Sequence, residues 1–461
     1  MYNSERYEQF VDKLVKSYKP GFIQMGVQMQ YSKIILIAEL IFWAGCSINI
    51  NTGSLEVIPQ EEKIITRASK PQDYQDYWQA IRHFDFDYIN RNEVTTEQHD
   101  FVNGLQLMIA GRSDTSALIF ESLMENTSDS LMQASCADIL KWHYTYANRW
   151  DRLVEIDSQL PAGLDQDNSI EFVKAFQQAP AEVYHYPDRP GTILTELSVS
   201  GSPIIEVTIN GHKQHFWIDT GAELTVISSN IAETCGIEPL HEEDTMIGTS
   251  TDINVGTRPA VISELKIGDL IVENHPVWII DKKDLEVKLF KVIKIIKIDG
   301  IIGWNLIQNL HLEINYKNLT TTIKKPEPAE VAERNFHFVC VPFVSMTDTL
   351  GNPFNFFLDT GAASTFLYQP GITKIDVSDA KSSRAIIGGA GGTQQIKQSV
   401  IPNEAFILDN YRINFATIDG HGDGENYFFF FDGCAGSDLF KNGTLVLDFH
   451  NGRCELKTNG N

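Results

Sequence analysis

Two carboxylates stand out by their setting. Residues 216–228 read FWIDTGAELTVIS and residues 356–368 read FFLDTGAASTFLY, so Asp219 and Asp359 each follow three apolar residues and open an Asp-Thr-Gly-Ala run. A charge at the end of an apolar strand is costly unless it is paired or hydrogen-bonded. A single copy could be an Asp that caps a turn; two copies in matching contexts ask for another account. If a pseudo-twofold axis joins the two carboxyl groups, both cannot ionise easily, and the pair shares a proton. One member then serves as base and the other as acid. Water activated by the ionised carboxylate attacks a carbonyl carbon while the protonated partner polarises the carbonyl oxygen, which cleaves a peptide bond without a metal or a covalent intermediate.

Such chemistry needs loops that present the carboxylates. Gly221 and Gly361 permit a tight turn directly after each Asp-Thr, and the hydroxyls of Thr220 and Thr360 can hold the loops. Two further segments complete the pattern, IDGIIGWNLI at 298–307 and DGCAGSDLF at 432–440.

With these motifs the chain resembles the aspartic proteases, within them the retropepsin-like, retroviral-type branch, and in particular bacterial exported aspartyl proteases. The resemblance covers residues 195–461. It implies a mainly β fold, with two tandem retropepsin-like β-barrel units forming a pseudo-dimer around one site. Asp219 and Asp359 would be the catalytic pair of an endopeptidase, with Thr220 and Thr360 tying the loops together across the axis. Ile301, Ile302 and Gly303 match the apolar-apolar-Gly segment that supports the loop, and Cys434, Ala435 and Gly436 occupy the equivalent place in the second unit. The family closes flaps over an extended peptide. The candidates are MIGTSTDINVG at 246–256, with Gly248 and Thr249, and IIGGAGGTQQI at 386–396, with Gly388 and Gly389. Both halves lie in one chain, so the active site should be monomeric, with a peptide or protein as substrate. A rival on the same fold is an inactive exported peptide-binding module.

The rest of the chain gives the setting. From 195 the pattern alternates with period two, as in strands such as IIEVTING and LHLEINY, and KKPEPAE at 324–330 divides a first unit, 195–325, from a second, 326–461. Residues 74–180 instead space apolar residues by three and four, which predicts a helical domain. Gly104, Gly111, Ser116 and Phe120 within it loosely resemble a tetratricopeptide helix pair. The Pro-rich stretch 177–192 marks its end.

Residues 47–73 have no clear period and read as a linker. Before them, IILIAELIFWAGC at 34–46 fits the apolar core of a secretory signal and resembles the box at which bacterial lipoproteins are cleaved and lipidated, here at Cys46. That implies residues 29–46 as a signal segment, 1–28 as a non-native extension, export to the cell envelope or periplasm, and membrane attachment through lipidated Cys46.

The 461 residues carry a formal charge of −24, which excludes a nucleic-acid partner. The six cysteines lack CxxC spacing, although Cys434 and Cys454 lie near enough in sequence to meet, and the twelve histidines show no HExxH pattern. Neither a metal nor another cofactor is expected.

Overall fold

A computed structural model describes residues 55–60, 74–159, 170–198, 200–241, 244–247, 254–289, 293–329, 333–389, 392–422, 424 and 428–458. The signal segment, Cys46 and the flap residues Gly248 and Thr249 lie outside the described residues, as does all of 1–28.

Helices span Tyr77–Arg82, Tyr88–Arg91, Thr96–Ile109, Ser113–Asn126, Ser130–Tyr146, Trp150–Gln159 and Ile170–Gln177. The sequence explains the start of the third. Thr95 accepts from the Gln98 backbone while the Gln98 side chain accepts from the Thr95 backbone, a capping box that satisfies two donors of the first turn. Its buried face is Phe101, Val102, Leu105 and Met108, at helical spacing. Gly104 lets the next helix approach: a Cβ there would lie 2.8 Å from the Phe120 ring, and Ser116 Oγ donates to the Gly104 carbonyl at 2.7 Å.

The remainder is mostly strand. His212–Ile218 pairs antiparallel with Pro203–Ile209 and parallel with Gly300–Ile302, which lies antiparallel to Thr225–Ser228. The same pairings recur in the second half, with Leu358 standing 140 positions after Ile218. Pro353–Leu358 pairs antiparallel with Val341–Asp348 and parallel with Gly433–Ala435, which lies antiparallel to Phe366–Leu367. In each case the parallel partner ends beside the Asp-Thr-Gly loop. The fold is mainly β, with the same strand pattern in two successive halves, and is preceded by helices.

The two halves are joined by one sheet: His311–Asn315 pairs with Thr320–Lys324 on one side and with Gly443–Asp448 on the other. At that seam His311 Nδ1 lies 3.2 Å from Asp448 Oδ2 and Nε2 lies 3.4 Å from Glu313 Oε1, while Lys324 reaches Glu313 at 2.6 Å. The hydrogen bonds to Asp448 and Glu313 raise His311 to about 9. Glu313 falls to about 2 through its bond with His311 and then Lys324. Burial pushes Asp448 up, but bonds from His311 and Asn451 together outweigh it and bring it to about 2. Because the histidine is raised, its contribution is full below the unfolded value of 6.5 and is lost as pH rises through about 9. The depressed carboxylates contribute above their unfolded values of 3.8 and 4.5, and that is lost as pH falls through about 2. His311→Asn is therefore expected to lower the melting temperature most between about pH 5 and 6.5 and to have little effect above about pH 9. A difference independent of pH, in thermal melts across that range, contradicts this.

Three sequence expectations need correction. Leu55–Pro59, inside the stretch read as a linker, is an edge strand paired antiparallel with Tyr411–Phe415. Five residues with Leu55 buried and Val57 half-buried make too short a pattern to separate from loop, and only the open edge of the neighbouring strand gives them a partner. Val183–His185, within the expected boundary, already pairs with Ile271–Glu273, and Thr192–Leu197 starts three residues before the expected first unit. Cys434 and Cys454 do not meet: both are free buried thiols, as are Cys136, Cys235 and Cys340, and they fall in different apolar clusters.

Strand alternation sorts the interior into these two clusters. Phe216, Ile218, Ile302, Phe356 and Leu358 point into the core of the β body. Trp217, Ile301, Phe357 and Cys434 point the other way, toward the face that carries Asp219 and Asp359, and there they form one cluster with the helices. Phe176 meets Trp278 edge-on at 6.0 Å, and Phe84 stacks on Phe429 at 4.0 Å. The helical region is thus packed on the acidic face of the strands.

Candidate active site

Each Asp-Thr-Gly loop begins where a buried strand ends. Asp219 N donates to the Ile302 carbonyl at 3.1 Å, and Asp359 N to the Ala435 carbonyl at 3.0 Å. Within each loop the carboxylate accepts from the glycine two residues on, Gly221 N to Asp219 Oδ1 and Gly361 N to Asp359 Oδ1, both at 2.8 Å. Ala362 N adds a second bond to Asp359 Oδ1 at 3.0 Å.

The threonines cross the axis. Thr220 N donates to Thr360 Oγ1 and Thr360 N to Thr220 Oγ1, each at 3.0 Å. Their hydroxyls donate in turn to the opposite strands, Thr220 to the Leu358 carbonyl at 2.7 Å and Thr360 to the Ile218 carbonyl at 2.8 Å. Four hydrogen bonds between buried groups therefore fix one loop against the other. Only glycine fits beside the carboxyl groups: a Cβ on Gly221 would lie 2.7 Å from Asp359 Cγ, and one on Gly361 would overlap Asp219 Oδ2.

The supporting segments behave alike. A Cβ on Gly303 would overlap the Leu224 carbonyl carbon, and one on Gly436 would lie 2.6 Å from that of Ser364. Ile302 packs in the core beneath the first loop. The structure thus brings Thr220, Gly221, Thr360, Gly361, Ile302, Gly303 and Gly436 around the two aspartates. Gly388 and Gly389 pair with Thr393 and Gly392 at the end of a hairpin.

Sequence reasoning missed the residues beneath the loops. Thr225 and Thr365 each stand six positions after the catalytic-type Asp. Thr225 N donates to Asn305 Oδ1 at 2.9 Å, and Thr365 N to Asp438 Oδ1 at 2.9 Å. Asn305 and Asp438 each follow the supporting glycine by two positions, so an alignment of the two halves would have exposed both pairs. Ser437 Oγ also donates to the Thr360 carbonyl at 2.5 Å, and Ser202 Oγ to the Gly361 carbonyl at 3.0 Å.

Asp219 and Asp359 share a hydrogen bond and are surrounded by protein while still reaching solvent. Burial raises Asp219 well above the usual carboxylate range, helped by the charge of Asp359 and the bond to it. Burial also raises Asp359, but there the bond from Asp219 and the amides of Ala362 and Gly361 oppose the rise. Both carboxyl groups are thus raised, which favours a proton on the pair. At the lip, burial of its surroundings pushes Glu223 up to about 7; the corresponding residue of the other loop is Ala363.

The two Asp-Thr-Gly loops thus bring their carboxyl groups together across one axis. Residues 205–306 match the model of a family described as aspartyl protease. No curated protein matches the chain. Among solved structures, a retropepsin-like aspartic protease from Rickettsia conorii is similar at 16% identity, over 31% of this chain and 97% of that one, with a TM-score of 0.23. An aspartic proteinase from Irpex lacteus is similar at 9% identity, over 59% of this chain and 98% of that one, with a TM-score of 0.37.

Proposed function

We propose that the chain is an aspartic endopeptidase whose single site is shared by its two halves. The observation that carries this reading is the hydrogen-bonded pair Asp219–Asp359, held in register by the crossed bonds of Thr220 and Thr360. In the reaction, Asp359 takes a proton from a water placed between the carboxyl groups. The water oxygen attacks the peptide carbonyl, and Asp219 donates its proton to the carbonyl oxygen. Collapse of the tetrahedral adduct then passes a proton to the leaving nitrogen and frees a carboxylic acid and an amine.

Because the mechanism needs one proton on the pair, the rate should be bell-shaped in pH. It falls in acid when Asp359 is protonated as well, and in alkali when Asp219 loses its proton. Burial raises Asp219 well above the usual range, so the alkaline limb belongs well above about pH 4, where ordinary aspartates ionise. Hydrolysis of a peptide library by the full chain, followed across pH, checks both points. Absence of hydrolysis at every pH moves the inactive peptide-binding module to the front, and a flat profile removes the shared proton.

Export and attachment to a membrane through Cys46 belong to the same proposal. Incorporation of a fatty-acid probe into the parent, absent from Cys46→Ser, is the expected result, and a parent without label removes the anchor.

A further inference from the structure

We infer that Glu182 and His275 are positioning residues that lock the Asp219 loop to the segment leaving the helices. The inference rests on the hydrolytic reading above. Glu182 lies five residues beyond the last helix, its side chain 7% exposed, and the His275 ring is fully buried. Glu182 Oε1 is 2.5 Å from His275 Nδ1, and His275 Nε2 is 2.7 Å from Thr225 Oγ1. Thr225 Oγ1 also accepts from Gly303 N at 3.3 Å, and the neighbouring Ile302 carbonyl accepts from Asp219 N at 3.1 Å. A continuous chain of bonds thus runs from the helical side of the molecule to the backbone of the catalytic-type Asp.

Proton inventory gives the chain a direction. The Asn305 amide is oriented by its own bonds, since Nδ2 donates to the Pro276 carbonyl at 3.0 Å while Oδ1 accepts from Thr225 N. The one hydroxyl proton of Thr225 therefore goes to Asn305 Oδ1, at 3.1 Å, just as the Thr365 hydroxyl proton goes to Asp438 at 2.7 Å. Nε2 of His275 must then carry a proton and donate it to Thr225, and a second proton lies between Nδ1 and Oε1. Glu182 is itself fixed from both sides, since Tyr184 OH donates to Oε1 at 3.0 Å and Asn148 Nδ2 to Oε2 at 2.6 Å.

The second half lacks the device. Among the described residues Thr365 bonds to Asp438 and to Gly436 N, and to no imidazole. The pairing therefore serves neither the bare fold of a unit nor the threonine common to both halves; it adds support behind the Asp219 loop alone. Glu182 also borders a cavity of about 420 Å³ with Asn148, Trp150 and Tyr184, so a small carboxylate can enter where its side chain is removed.

The test uses the full chain with His275→Ala, His275→Gln, Glu182→Gln and Glu182→Ala. His275→Ala is expected to lower kcat about tenfold with KM changed less than about twofold, because the loop loses position and not its contact with substrate. His275→Gln, which keeps a donor toward Thr225, should recover most of that loss, and formate should partly restore Glu182→Ala. An unchanged kcat in His275→Ala, or Gln no better than Ala, overturns the inference. Nitrogen-15 NMR of the imidazole gives a readout without turnover: protonated Nε2 of His275 is expected, and a bare Nε2 overturns the inference even if the parent cuts no peptide. A parent without hydrolysis but with protonated Nε2 and a shift of that resonance in Glu182→Gln overturns the hydrolytic reading alone.

Discussion

Asp219→Asn and Asp359→Asn are each expected to lower kcat about a thousandfold, with either change alone sufficient, because the acid and the base are different members of one pair. The same variants should be less sensitive to pH in stability. A carboxyl group whose folded value is raised contributes stability that is full below its unfolded value of 3.8 and is lost as pH rises through the folded one. The parent should therefore lose melting temperature as pH rises above about 4, and an Asn variant should lose less. Steady-state kinetics and thermal melts on the same preparations decide the matter. Loss of activity in only one variant would mean that the halves do not share a site, and a steeper pH dependence in the variants would mean that the carboxyl groups are not buried against each other.

The second large effect concerns the helices. A chain beginning at Ala181 is expected to be insoluble, although its strands include every residue of the candidate site. Trp217, Trp278, Phe343, Phe357, Phe429 and Phe431 are buried in one cluster with Phe101, Phe120, Trp150 and Phe176 of the helical region. Exposing a fully buried large apolar side chain costs about 1.5–3 kcal/mol. Several such exposures together amount to roughly 10 kcal/mol, comparable with the whole net stability of a domain. The lost partners also include polar ones: the His337 ring is held by the Ile109 carbonyl at 3.0 Å, and Gln308 donates to the Tyr146 carbonyl at 2.5 Å. Expression of residues 181–461 beside the full chain tests this. A soluble monomer with the far-ultraviolet dichroism of a β protein and peptide hydrolysis intact would show that the helices are an independent module.

Phe176 against Trp278 and Phe84 against Phe343 and Phe431 bring side chains of the helical region against the β body near the two aspartates. Glu223 on one loop has no counterpart on the other, where Ala363 stands, so the surroundings of the two loops differ chemically although the loops are alike.

Much of this was legible in the residues themselves. Asp219 and Asp359, the glycines beside them and the apolar-Gly segments were readable because an Asp-Thr-Gly turn at the end of an apolar strand has few local alternatives, and because each feature occurs twice. The helical and β regions were separable by period, since apolar spacing of three and four and alternation by two cannot describe the same backbone. The edge strand Leu55–Pro59 was not legible, because five residues acquire strand identity only from the unpaired edge of Tyr411–Phe415.

The sequence by itself thus determined the chemistry available and the local conformation that presents it. Tertiary structure alone decided what the local pattern cannot contain: that the two carboxyl groups come together, that the helices lie on the acidic face of the strands, and that Glu182 and His275 stand behind only one loop. The physical reason is that pairing, burial and proton sharing are properties of groups far apart in sequence. Glu182 and His275 are separated by 93 residues and Asp219 and Asp359 by 140, and no periodicity or turn signal spans such distances.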